Sequence, residues 1–133
     1  MAKALADSAF SLLERKIIVD SAGITAQANN KATLQAQETV KKRHWDLTSH
    51  LSKNITEVNT QFDYVICMEL SIKEAVIAHH PSIGKNIINW HIQDPYKYRN
   101  SETAATVYEE TLNEIEENLS AFMVKELFGV NID

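Results

Sequence analysis

Phe62-Asp63-Tyr64-Val65-Ile66-Cys67-Met68 is an almost unbroken apolar run of strand length. A strand with one face in water alternates polar and apolar residues. A continuous run suits a strand whose sheet is covered by helices on both faces. Sheets of that kind are mostly parallel and are joined by helical crossovers. This stretch therefore narrows the fold more than any other, and the rest of the chain can be read around it.

Leu5, Ala9, Leu12 and Leu13 recur at helical spacing, so the chain is expected to open in an amphipathic helix. Lys16-Ile17-Ile18-Val19-Asp20 is short and β-branched, and reads as a strand ending at Ser21-Ala22-Gly23. Asn29-Asn30 signals a turn or a helix entry. A second helix is expected from Ala32 to His44, on Ala32, Leu34, Ala36 and Val40. Its Lys41, Lys42 and Arg43 suit the negative end of a helix. From Asp46 to Thr60 the polar chain carries Leu47, Leu51, Ile55 and Val58 as anchors, which predicts a loop with short helical turns. Ser71 is the expected cap of a helix running to His79 and closed by Pro81. Ile87-Ile88-Asn89 predicts a third strand. Ser101 is the expected cap of a long final helix, with Tyr108, Leu112, Ile115, Leu119, Phe122, Met123 and Leu127 inward. Its Glu109, Glu110, Glu116 and Glu117 are expected to face water.

Helices alternating with strands predict an α/β fold, a three-layer α/β/α arrangement around a short, mostly parallel open sheet. The opening helix has no strand before it, so the first central strand of such a sheet is expected to be missing. A length of 133 residues suits one domain, residues 1–133. Net charge is −5, which excludes a broad nucleic-acid surface, and no apolar run is long enough to cross a bilayer. Cys67 is the only cysteine, so no internal disulfide can form. With no signal-peptide core at the start, a cytoplasmic location is expected.

Chemistry is best sought at Trp90-His91-Ile92-Gln93-Asp94-Pro95-Tyr96. Pro95 forces the chain out of the strand at Ile87-Ile88, which leaves Asp94 at a strand's C-terminal end, where parallel sheets bind ligands. Trp90 and Tyr96 could cover that carboxyl group, raise its pKa and make it a proton donor. The plainer use of Asp-Pro is to start a turn. His79-His80 has no third ligand at a recognisable spacing and reads as a solvated helix end, so no metal is expected. His44 and His50 read as structural. Cys67, inside the apolar run, reads as a small buried hydrophobe.

In this order and spacing the motifs resemble the low-molecular-weight protein tyrosine phosphatases. Ser21-Ala22-Gly23 is similar to the family's Ser-Ala-Gly after its second strand. Lys42-Arg43-His44 with Ser49-His50 resembles its His-containing segment, and Phe62 to Met68 its third-strand signature. Asp94-Pro95-Tyr96 matches its Asp-Pro-Tyr. The resemblance implies a phosphotyrosine phosphatase I-like fold with a four-stranded parallel sheet. It also implies hydrolysis of phosphotyrosine proteins or small aryl phosphates through a cysteinyl phosphate, without metal or other cofactor. Asp94 would be the general acid. Tyr96 and Tyr98 would flank the site, where they could contact an aryl substrate, accept phosphate themselves or simply pack.

The resemblance also marks departures. The family's nucleophile sits in a Cys-x5-Arg-Ser loop just before its first helix, and this sequence starts at the helix, with Met1-Ala2-Lys3-Ala4. The nucleophile, the phosphate cradle and the first strand are thus expected to be absent, and the 133 residues to be inactive by themselves. Thr25 to Lys31 lacks the aromatic, Gly or Pro residues of the family's substrate rim, and Lys97-Tyr98-Arg99 replaces an aromatic and Gly after Asp-Pro-Tyr. An arsenate reductase on the same fold needs further cysteines, which Cys67 alone does not supply. A non-catalytic binding remnant is the other alternative. Loss of a central strand would expose sheet edges, so marginal stability or self-association is expected.

Overall fold

The computed structural model describes residues 1–10, 17–24, 29–58 and 61–127. The chain divides into two compact units. A helical unit comprises Met1–Asp20, Thr33–Leu47 and Pro95–Asp133, and an α/β unit comprises Ser21–Ala32 and Thr48–Asp94.

The helical unit contains α1 (Ala2–Phe10), α2 (Leu34–Lys41) and α4 (Ala104–Phe122); a π-helical turn, Met123–Leu127, continues α4. Tyr108, Leu112, Ile115 and Leu119 recur every three or four residues on α4, and all four are buried. Val40 of α2 and Leu5 and Ala6 of α1 are buried as well, and both helices pack on α4. Two threonines lie inside this core, and each hydroxyl is satisfied by its own helix. Thr39 Oγ1 donates to the Gln35 carbonyl at 2.7 Å and Thr111 Oγ1 to the Val107 carbonyl at 2.8 Å.

Three helix boundaries in this unit differ from expectation. α2 begins two residues late, because Thr33 Oγ1 accepts from the Ala36 amide at 3.2 Å and so caps it. It ends three residues early: the Trp45 amide donates to the Val40 carbonyl at 3.1 Å and the His44 amide to the Lys41 carbonyl at 2.9 Å. That is a Schellman closure, with His44 in the left-handed region at φ 64. At α4 the N-cap is Thr103, not Ser101; Ser101 instead opens the preceding turn, its carbonyl accepting from the Ala104 amide at 3.2 Å.

Glu109 is half-buried and does not simply face water. Its carboxylate lies 3.4 Å from the Arg43 guanidinium, which also bonds Asn113 and Glu116. The expected strand at Ile17–Asp20 is absent, and Ile18 is 72% exposed. β-branching favours a pleated, half-buried surface, but a strand forms only where a ladder forms with it. Lys16, Leu12 and Leu13 lie outside the described residues.

In the α/β unit, β1 (Phe62–Cys67) and β2 (Gly84–Asn89) pair in parallel, with Phe62 opposite Gly84 and Cys67 opposite Asn89. The crossover between them is α3 (Leu70–His79). The α/β fold with an open parallel sheet is therefore present, and among the described residues the sheet has two strands. Ile55, Cys67 and Val76 form the core, with Ile24, Val65, Ile72, Ile83 and Ile87 packed around them. The cap of α3 is Glu69 by backbone geometry, without a side-chain bond, two residues before the expected Ser71.

Ahead of β1, Gly23 bridges Asn54 in parallel, its amide donating to the Lys53 carbonyl at 2.9 Å. Asn54 and Glu57 form a capping box on a short 3-10 helix, Ile55–Glu57, the helical turn expected in that loop. Asn29 turns the chain at φ 66, as its Asx character suggests. Among the described residues no helix is long and apolar enough to cross a membrane.

Candidate functional site

The C-terminal end of the β1–β2 pair carries the stretch singled out in the sequence. β2 stops at Asn89, but the chain does not leave the sheet there. The Trp90 amide donates to the Cys67 carbonyl at 2.9 Å and the Ile92 amide to the Met68 carbonyl at 2.6 Å. Ile92 is 2% exposed, which anchors the segment. Between these two bonds His91 adopts φ 56, and its amide donates to Asn89 Oδ1 at 2.9 Å. Asp94 follows as the last residue of the α/β unit, and it is exposed. The burial expected of its carboxyl group is therefore not observed.

Tyr96 belongs to the helical unit, in a 3-10 helix over Pro95–Tyr98 that packs on α4. Proline is favoured at the first position of a helix, since its missing N–H is needed there least. Tyr96 is 50% exposed, and the Arg99 guanidinium lies 3.9 Å above its ring. Arg99 Nη1 also donates to the Tyr96 carbonyl at 3.0 Å. This stacking holds the ring at the surface in one orientation.

Cys67 is 3% exposed at the end of β1, in the middle of the unit's core. Burial raises its thiol pKa, and the nearby Lys73 charge only partly opposes this. A nucleophilic thiol needs the opposite environment, one rich in donors that stabilises the thiolate. The core reading of Cys67 therefore holds.

His79 is exposed at the end of α3, and the His80 amide closes that helix on the Val76 carbonyl at 2.8 Å. Among the described residues no three His, Cys, Asp or Glu side chains group in a way that could hold a metal ion. His44 serves α2 through its backbone, and His50 is half-buried in the other unit. The rim segment expected from Thr25 to Lys31 falls partly outside the described residues; Lys31 bridges Leu51. A groove of about 240 Å³ beside Lys42, Ala105, Thr106, Glu109 and Glu110 contains none of the expected site residues. Asn89 and His91 were assigned no role from sequence, although an Asn two residues before a non-glycine turn residue is a usable signal.

The sequence profile of the low molecular weight phosphotyrosine protein phosphatases matches residues 1–129. The chain belongs to this family. A solved structure, that of a low molecular weight protein tyrosine phosphatase from T. tengcongensis, superposes with a TM-score of 0.68. It is 20% identical, and the match covers 90% of this chain and 88% of that one; at such identity the likeness speaks for the fold. A comparison with curated proteins found no match. As a member of the phosphatase family, the chain carries its Asp-Pro-Tyr just beyond the Trp90-His91-Ile92-Gln93 segment that follows β2.

Proposed function

We propose that this chain is a low-molecular-weight phosphatase-like protein in which Asp94 holds the general-acid position and Tyr96 belongs to the substrate rim. Its ligands would be phosphotyrosine proteins or small aryl phosphates. The observation that carries this reading is the family match over residues 1–129 together with Asp94 following β2. A general acid in this position protonates the phenolate oxygen as the ester bond breaks, and as carboxylate it then activates the water that releases phosphate. Neither role calls for a metal.

The 133 residues are proposed not to turn substrate over by themselves. Attack on phosphorus needs a thiolate held in a loop of amide donors with an arginine. The sequence contains one cysteine, buried in β1, and the nearest following arginine is Arg99. Burial of that thiol favours, as the second reading, a non-catalytic module that binds a partner; an arsenate reductase would need further cysteines. Residues 1–133 would act as one phosphatase-like domain in the cytoplasm, self-associating through the edges of its short sheet.

Purified chain with an aryl phosphate separates these readings. No release of phenol above a Cys67→Ser control is expected, and turnover lost in that variant would overturn the assignment of Cys67 to the core. Sedimentation should show a mass that rises with concentration. A monomer with a sharp two-state melt would count against self-association.

A further inference from the structure

We infer that Asn89 is a positioning residue for Asp94, acting through His91; the inference rests on the reading of Asp94 as the general acid. Asn89 is the last residue of β2, and its side chain grips His91 at two places. Its Oδ1 accepts from the His91 amide at 2.9 Å, while its Nδ2 lies 3.2 Å from His91 Nδ1 and 3.3 Å from Nε2. A donor at nearly equal distance from both ring nitrogens sits over the ring face, so a single carboxamide bonds the backbone and packs its N–H on the ring.

The grip falls where the chain is least inclined to stay. His91 is at φ 56, a region that a side chain with a Cβ avoids and glycine accepts. The reversal it produces keeps the segment on the sheet after β2 has ended. With His91 extended, the chain would continue along β2, and the Ile92 amide would move off the Met68 carbonyl, now 2.6 Å away. Ile92 is 2% exposed, and only Gln93 separates it from Asp94. Asp94 is exposed, and the buried Ile92 is the anchor nearest to it on the β2 side of the chain. A strand that merely ended would need no such turn, since Pro95 already stops it.

The test uses the whole 133-residue chain and two NMR readouts, protection of the Ile92 amide from exchange and the shift of the Asp94 carboxyl carbon. Asn89→Ala should lower Ile92 protection at least about tenfold and move the Asp94 signal, while Val65 and Ile87 in the strands stay protected. Asn89→Asp keeps the oxygen that accepts from His91 and should keep the protection. Adding His91→Gly to Asn89→Ala should restore both signals, because glycine takes the turn without help. Unchanged Ile92 protection in Asn89→Ala, or a loss that His91→Gly does not repair, would overturn the assignment. Should Asn89→Ala fail to fold, Asn89→Asp decides alone: retained protection supports the inference and lost protection overturns it. Neither readout needs turnover, so failure here leaves the acid role of Asp94 to its own test.

Discussion

Gly84 lies so close to Val65 that a Cβ on it would run into Val65 Cγ2, with the Phe62 carbonyl oxygen 3.3 Å away as the next neighbour. Gly84 opens β2 opposite Phe62, so the strands meet where one of them has no side chain. Valine is stiff about χ1 and cannot swing clear. Gly84→Ala should therefore destabilise the chain by about 1–3 kcal/mol, the usual cost of overpacking. Denaturant melts measure this, and pairing with Val65→Ala should recover part of the loss. An unchanged midpoint in Gly84→Ala would mean that the strands are not packed this tightly.

His44 closes α2 at φ 64, a conformation that costs an L-residue about 1–2 kcal/mol. His44→Gly should remove that cost, less the extra freedom of glycine in the unfolded chain, for a net gain of about 0.5–1 kcal/mol. Denaturant melts of parent and variant measure the gain. A loss of stability would show that the His44 side chain makes contacts worth more than the backbone strain.

The raised thiol pKa of Cys67 sets an alkaline limit. A thiol whose folded value lies above its unfolded value of about 8.5 contributes stability that is complete below that pH. The contribution is lost as pH rises through the folded value. Cys67→Ala cannot ionise, so its stability relative to the parent should rise on moving from pH ~7 to ~10. A difference that stays flat with pH would remove burial as the governing influence on this thiol. The same burial predicts slow labelling by thiol reagents until denaturant unfolds the α/β unit.

The acid role is tested in an extended chain that carries the family's Cys-x5-Arg-Ser loop together with residues 1–133. In that extended chain Asp94→Asn should lower turnover by about 10²–10⁴-fold, the usual worth of a general acid. The loss should shrink for aryl phosphates whose leaving group is already a stable anion. A uniform loss across leaving groups would point to damaged structure, and no loss would take Asp94 out of the chemistry.

What could be read from the sequence follows from the range of the interactions involved. The run from Phe62 to Met68 announced β1, and the stripe through Tyr108 and Leu119 announced α4, because burial imposes a period on neighbouring residues. Caps were harder. Thr33, Glu69 and Thr103 took positions assigned to nearby residues, since several residues there have similar chemistry and backbone angles choose among them. Ile17-Ile18-Val19 has the composition of a strand, but composition cannot say whether a partner is present. At the site, Asp94 was found by its motif, yet its exposure was not foreseen, and neither was the grip of Asn89 on His91. Both depend on which way the chain turns after β2, and one non-glycine residue decides that.

Arg43 also says something about how α2 and α4 find each other. Its guanidinium meets Glu109, Asn113 and Glu116, three consecutive rungs along one side of α4. Sliding α4 by one turn, about 5.4 Å, would bring Asn113, Glu117 and Ser120 under the guanidinium in one direction, or Ala105, Glu109 and Leu112 in the other. Either slip trades two carboxylates for one. An apolar stripe tolerates such a slip well, because leucine and isoleucine look much alike from one turn to the next. Arg43 does not, so it works as a pawl on a rack, and helices that could otherwise dock in several ways have a single register.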